Sequence, residues 1–394
     1  MISGRDFVVL SDDWNGLPTS AIHLFRRLAR TNRVFWFNTI GRMPRLTRAD
    51  VGKMFRTLGR WAWGRIGRAE TEAEPAGTGV RAVNPVMVPW FKGWIRRLNR
   101  RCLIRKFRQL RERYRITDPI QVTTFPYAVD FLKANPDGLK VYYCVDDFLD
   151  YPGVNHRDWA RMEAELLESI DGLIVTSGDL ARKRLNSCPL LHLPHGVDFD
   201  HFYNALACSE PVPALEKIPR PIVGFFGLIS EWVDLPLIAH LSEAFPETSF
   251  VLIGRADVDL GPLARRPNVH PLGLVPYADL PRHARYFDVG LIPFVLNNLT
   301  RAVNPLKLME YFALGLPVLS TRLPELESIE GPLRLAVTRS EFTDGLRELL
   351  QGLSSFDPGD AIIAARMNTW DQRAEDLCDF LESLEPARSQ DTRD

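Results

Sequence analysis

NPLKLMEYFALGLPVLST, residues 304–321, reads as a helix start, one short helix, a tight stop and a buried strand, with a lysine and a glutamate one turn apart. Asn304 suits a helix N-cap, and Pro305 suits the first helical position, where no backbone donor is needed. Gly315 and Pro317 mark the stop, and Val318-Leu319-Ser320 opens a strand. Lys307 then falls in the first turn, where unpaired N–H groups and the helix dipole favour an anion. Glu310, three residues on, shares its face. Leu306, Met309 and Ala313 form the apolar stripe that a sheet would bury. A diphosphate at the helix mouth, with a carboxylate accepting hydrogen bonds from ribose hydroxyls, would use all of these groups and points to a nucleotide-sugar site. A capped amphipathic helix is also ordinary structure in α/β proteins, so the surrounding chain has to arbitrate.

The 394 residues give room for two domains, and 45% hydrophobic with 25% charged residues is ordinary for a globular protein. Five cysteines (Cys102, Cys144, Cys188, Cys208, Cys378) are scattered, with no C-x-x-C pair and an odd total. That spacing argues for reduced thiols and against a zinc site or a disulfide framework, so no metal is expected. A strand-like FVVLS begins at Phe7, which leaves no secretory signal, and no apolar run approaches a membrane span. A cytoplasmic chain is expected.

The zero net charge hides an asymmetry. Residues 26–115 carry 24 Lys and Arg against 5 Asp and Glu, which leaves 25 against 44 elsewhere. Trp61, Trp63, Trp90, Phe91 and Trp94 are interleaved with these arginines. Basic residues with interfacial aromatics suit an anionic membrane surface. The same composition could serve nucleic acid or be a merely solvated face.

Strand-like runs alternate with helical patterns, the signature of parallel α/β architecture. Strands are expected at 7–11, 34–38, 120–123, 141–145 and 172–176, with helices at 21–30, 159–169 and 179–185. Residues 41–79 lack a sheet pattern and read as a surface excursion. Phe91, Ile95, Leu98 and Cys102 recur at helical spacing, so 90–114 is expected to be a long basic helix. His195-Gly196-Val197-Asp198 is a turn at a domain boundary, where His195 is more readily structural than catalytic, and the prolines of 208–221 form a linker. A second series of strands follows at 222–226, 249–254, 269–272 and 289–293, with helices at 235–245 and near 277–286. Residues 369–384, with Trp370, Leu377, Phe380 and Leu384, read as an amphipathic closing helix.

The 304–321 run resembles the donor-binding segment of GT-B glycosyltransferases, with Pro305, Lys307, Glu310, Gly315, Pro317 and Val318 at the family's places. The likeness is strongest to glycosyltransferase family 4 (group 1) enzymes of bacterial exopolysaccharide synthesis. LSDDWNGLPTSAIHL (10–24), KVYYCVDD and LPHGVD also resemble the glucuronosyltransferase of xanthan synthesis. The resemblance implies two Rossmann-like βα domains facing across a cleft, with a C-terminal helix crossing back. Residues 1–205, closed by 369–394, would bind the acceptor, and residues 206–368 the nucleotide-sugar. It places Gly224 and Gly227 of VGFFG beside the donor diphosphate, Arg255 near phosphates or base, and Gly273-Leu274-Val275 on the base. Two departures stand out. Ala302 occupies the position of the family's first glutamate, and LISEW (228–232) lacks its cations, so Lys307 would carry most of the phosphate binding.

Transfer needs the leaving diphosphate stabilised and, for inversion, a base on the acceptor hydroxyl. Asp146, following the 141–145 strand, is the preferred base because the resemblance puts it where the xanthan enzyme carries its base, and Asp147 beside it could raise its pKa by like-charge repulsion. Asp12 and Asp13, ending the first strand, are the alternatives, and a turn-capping role for any of these is equally open. The expected activity is transfer of a hexosyl or glycuronosyl group from a UDP- or GDP-sugar to a lipid-linked saccharide at the inner membrane face, without metal or nucleic acid. A non-catalytic nucleotide-sugar binder and an epimerase of the same fold are the rival readings.

Overall fold

The computed structural model describes residues 2–16, 18–39, 79–85, 87–88, 93–151, 154–185 and 188–391. The excursion at 41–78 and the aromatics Trp61, Trp63, Trp90 and Phe91 lie outside the described residues. The chain divides into two compact units, Met1–Leu193 with Ala374–Asp394, and Pro194–Arg373.

The first unit is built on a seven-stranded sheet in the order β3-β2-β1-β4-β5-β6-β7. Its strands are β1 (Asp6–Ser11), β2 (Arg33–Asn38), β3 (Val80–Val83), β4 (Ile120–Thr123), β5 (Lys140–Cys144), β6 (Gly172–Val175) and β7 (Leu190–His192). Every pairing is parallel, with Phe7 opposite Val34 and Val122 opposite Val141. Strands covered on both faces need continuous apolar runs, which is why DFVVLS and KVYYC bury almost every side chain. The edge strands β3 and β7, four and three residues long, are not among those expected from the pattern.

The expected basic helix forms over Gly93–Tyr114. Asn99, Leu103, Phe107 and Leu110 face inward, and Phe107 meets Phe131 edge-on at 5.4 Å. Leu98 is 39% exposed. Asn99 takes the innermost position because its amide clamps the Val88 backbone, accepting from N–H and donating to C=O at 2.8 Å each. The closing helix Trp370–Asp391 begins in the second unit and buries Ala374, Leu377, Cys378, Leu381 and Leu384 in the first.

Beneath the β5–β6 end lies a buried ion network. Arg184 bridges Asp147 (2.9 Å) and Glu163 (2.8 Å), Lys183 adds a second contact to Asp147 (2.8 Å), and the Tyr142 hydroxyl donates to Glu163 at 2.8 Å. Burial pushes the Asp147 pKa up, but the Lys183 and Arg184 hydrogen bonds and charges outweigh it and hold the carboxyl below its ordinary range. Asp147, expected to act on Asp146 by like-charge repulsion, is itself paired with two cations.

Removing the bridge should be costly. Arg184→Ala leaves Glu163 buried without its cation and Asp147 with Lys183 alone, and is expected to lower stability by about 3–5 kcal/mol in urea unfolding. Because the folded pKa of Asp147 lies below its unfolded value, the stabilisation is complete above the unfolded pKa and is lost as pH falls through the folded one. The wild type should accordingly lose melting temperature below about pH 4 more steeply than Arg184→Ala does.

The second unit carries a six-stranded parallel sheet, β10-β9-β8-β11-β12-β13. Its strands are β8 (Ile222–Phe226), β9 (Ser249–Ile253), β10 (Val269–Gly273), β11 (Val289–Ile292), β12 (Val318–Thr321) and β13 (Leu333–Ala336). The expected linker at 208–221 contains a short helix, Pro213–Glu216, anchored by buried Val212 and Leu215. Among the described residues no helix is long and apolar enough to cross a membrane.

Candidate functional site

The second unit gathers its unusual chemistry at the carboxyl ends of β8, β9 and β11, where ligands of parallel sheets are expected. β8 runs fully buried into Gly227, whose φ of +129° is closed to ordinary side chains. Its N–H donates to Ile253 O at 2.8 Å, joining it to the end of β9. Gly254 follows β9 with φ +144°, and a Cβ there would lie 1.9 Å from Gly227 O, so backbone packs directly on backbone.

Lys307 lies over this glycine floor. A Cβ on Gly227 would sit 2.6 Å from Lys307 Cε and 2.9 Å from Nζ. The ammonium stands 5.5 Å from the Phe225 ring centre and 5.4 Å from that of Phe294, within cation–π range. No ion-pair partner of Lys307 is found among the described residues. Burial lowers its pKa, and the negative charge of Glu310 partly offsets that. A half-buried cation with rings beside it and an unused set of donors is poised for an anion.

Glu310 shares the site. Burial raises its pKa to about 7, Lys307 opposes that rise, and Asp198 adds to it. Asp198 belongs to the HGVD turn, so that turn packs near the helix carrying Lys307 and Glu310. Burial also depresses the pKa of His195 to about 3, with Arg373 contributing, so the imidazole is neutral in the physiological range. Its ring lies 6.0 Å from that of Trp370, a packed position in keeping with a structural role.

The expected helix start needs correction. The helix spans Lys307–Ala313, and its N-cap is Leu306, in helical geometry with no side-chain cap. Asn304 Oδ1 instead accepts the His195 N–H at 3.3 Å, which ties the pre-helix loop to the HGVD turn. Pro305 is buried and its carbonyl accepts from Leu308 N. The tertiary bond to His195 takes the amide oxygen that a local cap would have used. The stop falls where expected, at Gly315 with φ +68°.

Tyr311 is a positioning residue that pattern reading passed over. Its hydroxyl accepts from Phe226 N at 3.3 Å and faces Gly224 O at 3.1 Å and Leu291 O at 3.3 Å. One side chain therefore pins the helix to both β8 and β11. Phe225, Phe294 and Asp198 were missed likewise, because only folding brings them beside Lys307 and Glu310.

Two other expected donor residues follow the ends of β9 and β10. Arg255 is exposed and paired with Asp257, Nε to Oδ1 at 2.9 Å. Leu274 is also exposed, one residue beyond Gly273, whose carbonyl accepts from Gly254 N. Asp146 and Asp13 belong to the first unit, at the carboxyl ends of β5 and β1. Asp146 accepts from the Tyr151 hydroxyl and, through Oδ1, from Asp147 N at 3.0 Å. Asp13 is exposed and closes a turn through Asn15 N at 3.2 Å.

Residues 220–352, which contain Gly227, Lys307 and Glu310, match the family model described as glycosyl transferases group 1. The chain is 31% identical over 145 residues to TuaH of Bacillus subtilis (strain 168), provisionally named a teichuronic acid biosynthesis glycosyltransferase. That alignment takes in 35% of this chain and 36% of the relative, so the chain spans about a third of its length. Among solved structures, Anabaena HepE in complex with UDP and glucose superposes with a TM-score of 0.66 at 14% identity, over 96% of this chain and 99% of that one. The trehalose 6-phosphate synthase of Burkholderia multivorans gives 0.63 at 14% identity, over 100% and 99%. These likenesses establish the GT-B fold, with two Rossmann-like domains each built on a parallel sheet. The segment that carries the site is of the group 1 glycosyl transferase type.

Glu310 makes the site sensitive to pH. Its folded pKa of about 7 lies above the unfolded value, so the fold favours the protonated acid. Stability is greatest below the unfolded pKa and declines as pH rises toward about 7. Glu310→Gln, which is never charged, should therefore melt above the wild type at pH 8, by on the order of 2 kcal/mol, and with it at pH 4. Differential scanning calorimetry at the two pH values checks this.

Proposed function

We propose that the protein is a glycosyltransferase that moves a hexosyl or glycuronosyl group from a nucleotide-sugar to a lipid-linked saccharide in surface polysaccharide synthesis. The observation that carries this reading is Lys307, an unpaired and partly desolvated cation held against Gly227, with Glu310 one helical turn away. Together they offer charge for a diphosphate and an acceptor for sugar or ribose hydroxyls. A UDP-linked donor is favoured by likeness to HepE, whose structure holds UDP and glucose, and a surface polysaccharide by the name of TuaH.

In this reading Lys307 neutralises charge as the diphosphate leaves, and its rings and glycine floor keep the ammonium in place without a carboxylate to compete. Tyr311 fixes the helix so that both groups are set before the donor arrives. Glu310 accepts hydroxyl hydrogen bonds in its ionised form, so donor affinity should weaken as pH falls below about 7. Asp146 would take the acceptor proton in an inverting reaction, its orientation set by Tyr151 and the Asp147 amide. Asp13 and, in a retaining course, Asp146 would hold acceptor hydroxyls. Gly254, Arg255 and Leu274 would border the base and phosphates.

Thermal-shift titration with UDP- and GDP-sugars tests the donor site. One nucleotide family should stabilise the wild type, and Lys307→Ala or Glu310→Ala should abolish the shift. Stabilisation that survives both substitutions would move the site elsewhere. Asp146→Asn should retain the donor shift while transfer to a bacterial lipid extract, followed with labelled donor, falls by about 100-fold or more. Donor turnover that needs no acceptor and yields an epimer would replace transfer by epimerisation, and binding with no turnover at all would leave a sensor.

A further inference from the structure

The helix Gly93–Tyr114 presents two faces of opposite character. Its inner face is buried, and two flanking arginines are turned to carboxylates: Arg96 to Asp130 and Glu165, Arg111 to Asp137. Arg97, Arg100, Arg101, Arg105 and Arg108 on the outer face are exposed, and none has an ion-pair partner among the described residues. At the N-terminal end of the same face Trp94 is 69% exposed and Leu98 39%. Positions 94, 98, 101, 105 and 108 recur every three or four residues and so form one stripe, about 21 Å long at helical rise. The arginines also line a groove of about 650 Å³, with Glu112 as the carboxylate at its far end.

Like charges three and four residues apart repel, so this row weakens its own helix unless an anionic partner lies across it. We propose that the outer face of Gly93–Tyr114 is a docking surface for an anionic phospholipid bilayer, with Trp94 and Leu98 entering the headgroup layer and the guanidiniums pairing with lipid phosphates. Lipid phosphate takes bidentate contacts from arginine, and an indole at one end of a flat-lying basic helix matches the interfacial level. Leu98 offers neither charge nor a ring to a nucleic acid, whereas insertion between headgroups accounts for its exposure. The inference rests on the lipid-linked acceptor reading for its purpose, but its test needs no transfer.

Cosedimentation of the full chain with phosphatidylglycerol-containing vesicles should show binding that pure phosphatidylcholine vesicles do not. Raising salt from about 0.1 to about 0.5 M should release it. The combined variant Arg101→Gln, Arg105→Gln, Arg108→Gln should bind at least about tenfold more weakly, and Trp94→Ala about threefold, with unchanged circular dichroism and melting. Equal binding to neutral vesicles, or wild-type binding by the triple variant, would overturn the proposal. Tighter capture by a single-stranded oligonucleotide than by anionic vesicles would reassign the face to nucleic acid. Because the nucleotide-sugar shift is read separately and without lipid, failure here is distinguishable from failure of the donor site.

Discussion

An ammonium group held without a counter-ion is the constraint around which the second unit is arranged. Lys307 is drawn out of water over Gly227, yet among the described residues no carboxylate pairs with it. Desolvating a cation is unfavourable, and the rings of Phe225 and Phe294 offset only part of that. Glu310 at longer range offsets a further part, and Glu310 is itself driven toward its protonated form. The pair is therefore poorly satisfied in the free protein, and such incomplete pairing is characteristic of groups set aside for a ligand.

The surrounding backbone serves that arrangement. Gly227 and Gly254 adopt conformations that side chains resist, which lets the ends of β8 and β9 approach each other and leaves room above them for the lysine. Tyr311 fastens the short helix to two strands through a single hydroxyl. Asn304 fastens the loop before it to the HGVD turn. A helix of seven residues has little stability of its own, so these tertiary bonds decide where it begins.

The first unit settles its charges in the opposite way. Asp147, Glu163, Lys183 and Arg184 are mutually paired, and what is buried there is satisfied. Its open charge is on the outer face of the Gly93–Tyr114 helix, where Arg97, Arg100, Arg101, Arg105 and Arg108 have no ion-pair partner among the described residues. One unit thus keeps a lone cation partly buried for a small anion, while the other exposes a row of cations suited to an extended one.

The sequence alone determined the fold class, because parallel strands buried on both faces must be short apolar runs, and DFVVLS, KVYYC, IVGFF and SFVLI can hardly be read otherwise. It also set Lys307 and Glu310 one turn apart on one helix face, while Gly227 entered through the family resemblance, and in the structure Gly227 lies against Lys307. It foresaw the basic helix but not its inward face, where Asn99 is held by a backbone clamp at Val88. It assigned Asn304 to a local cap that a residue 109 positions away had claimed. Only the tertiary structure decided that Asp147 is neutralised, that Arg255 is engaged by Asp257, and that Asp198 and two phenylalanine rings border the lysine. Periodicity reports which residues seek burial, whereas the charge state and partner of a polar group depend on what distant segments bring to it.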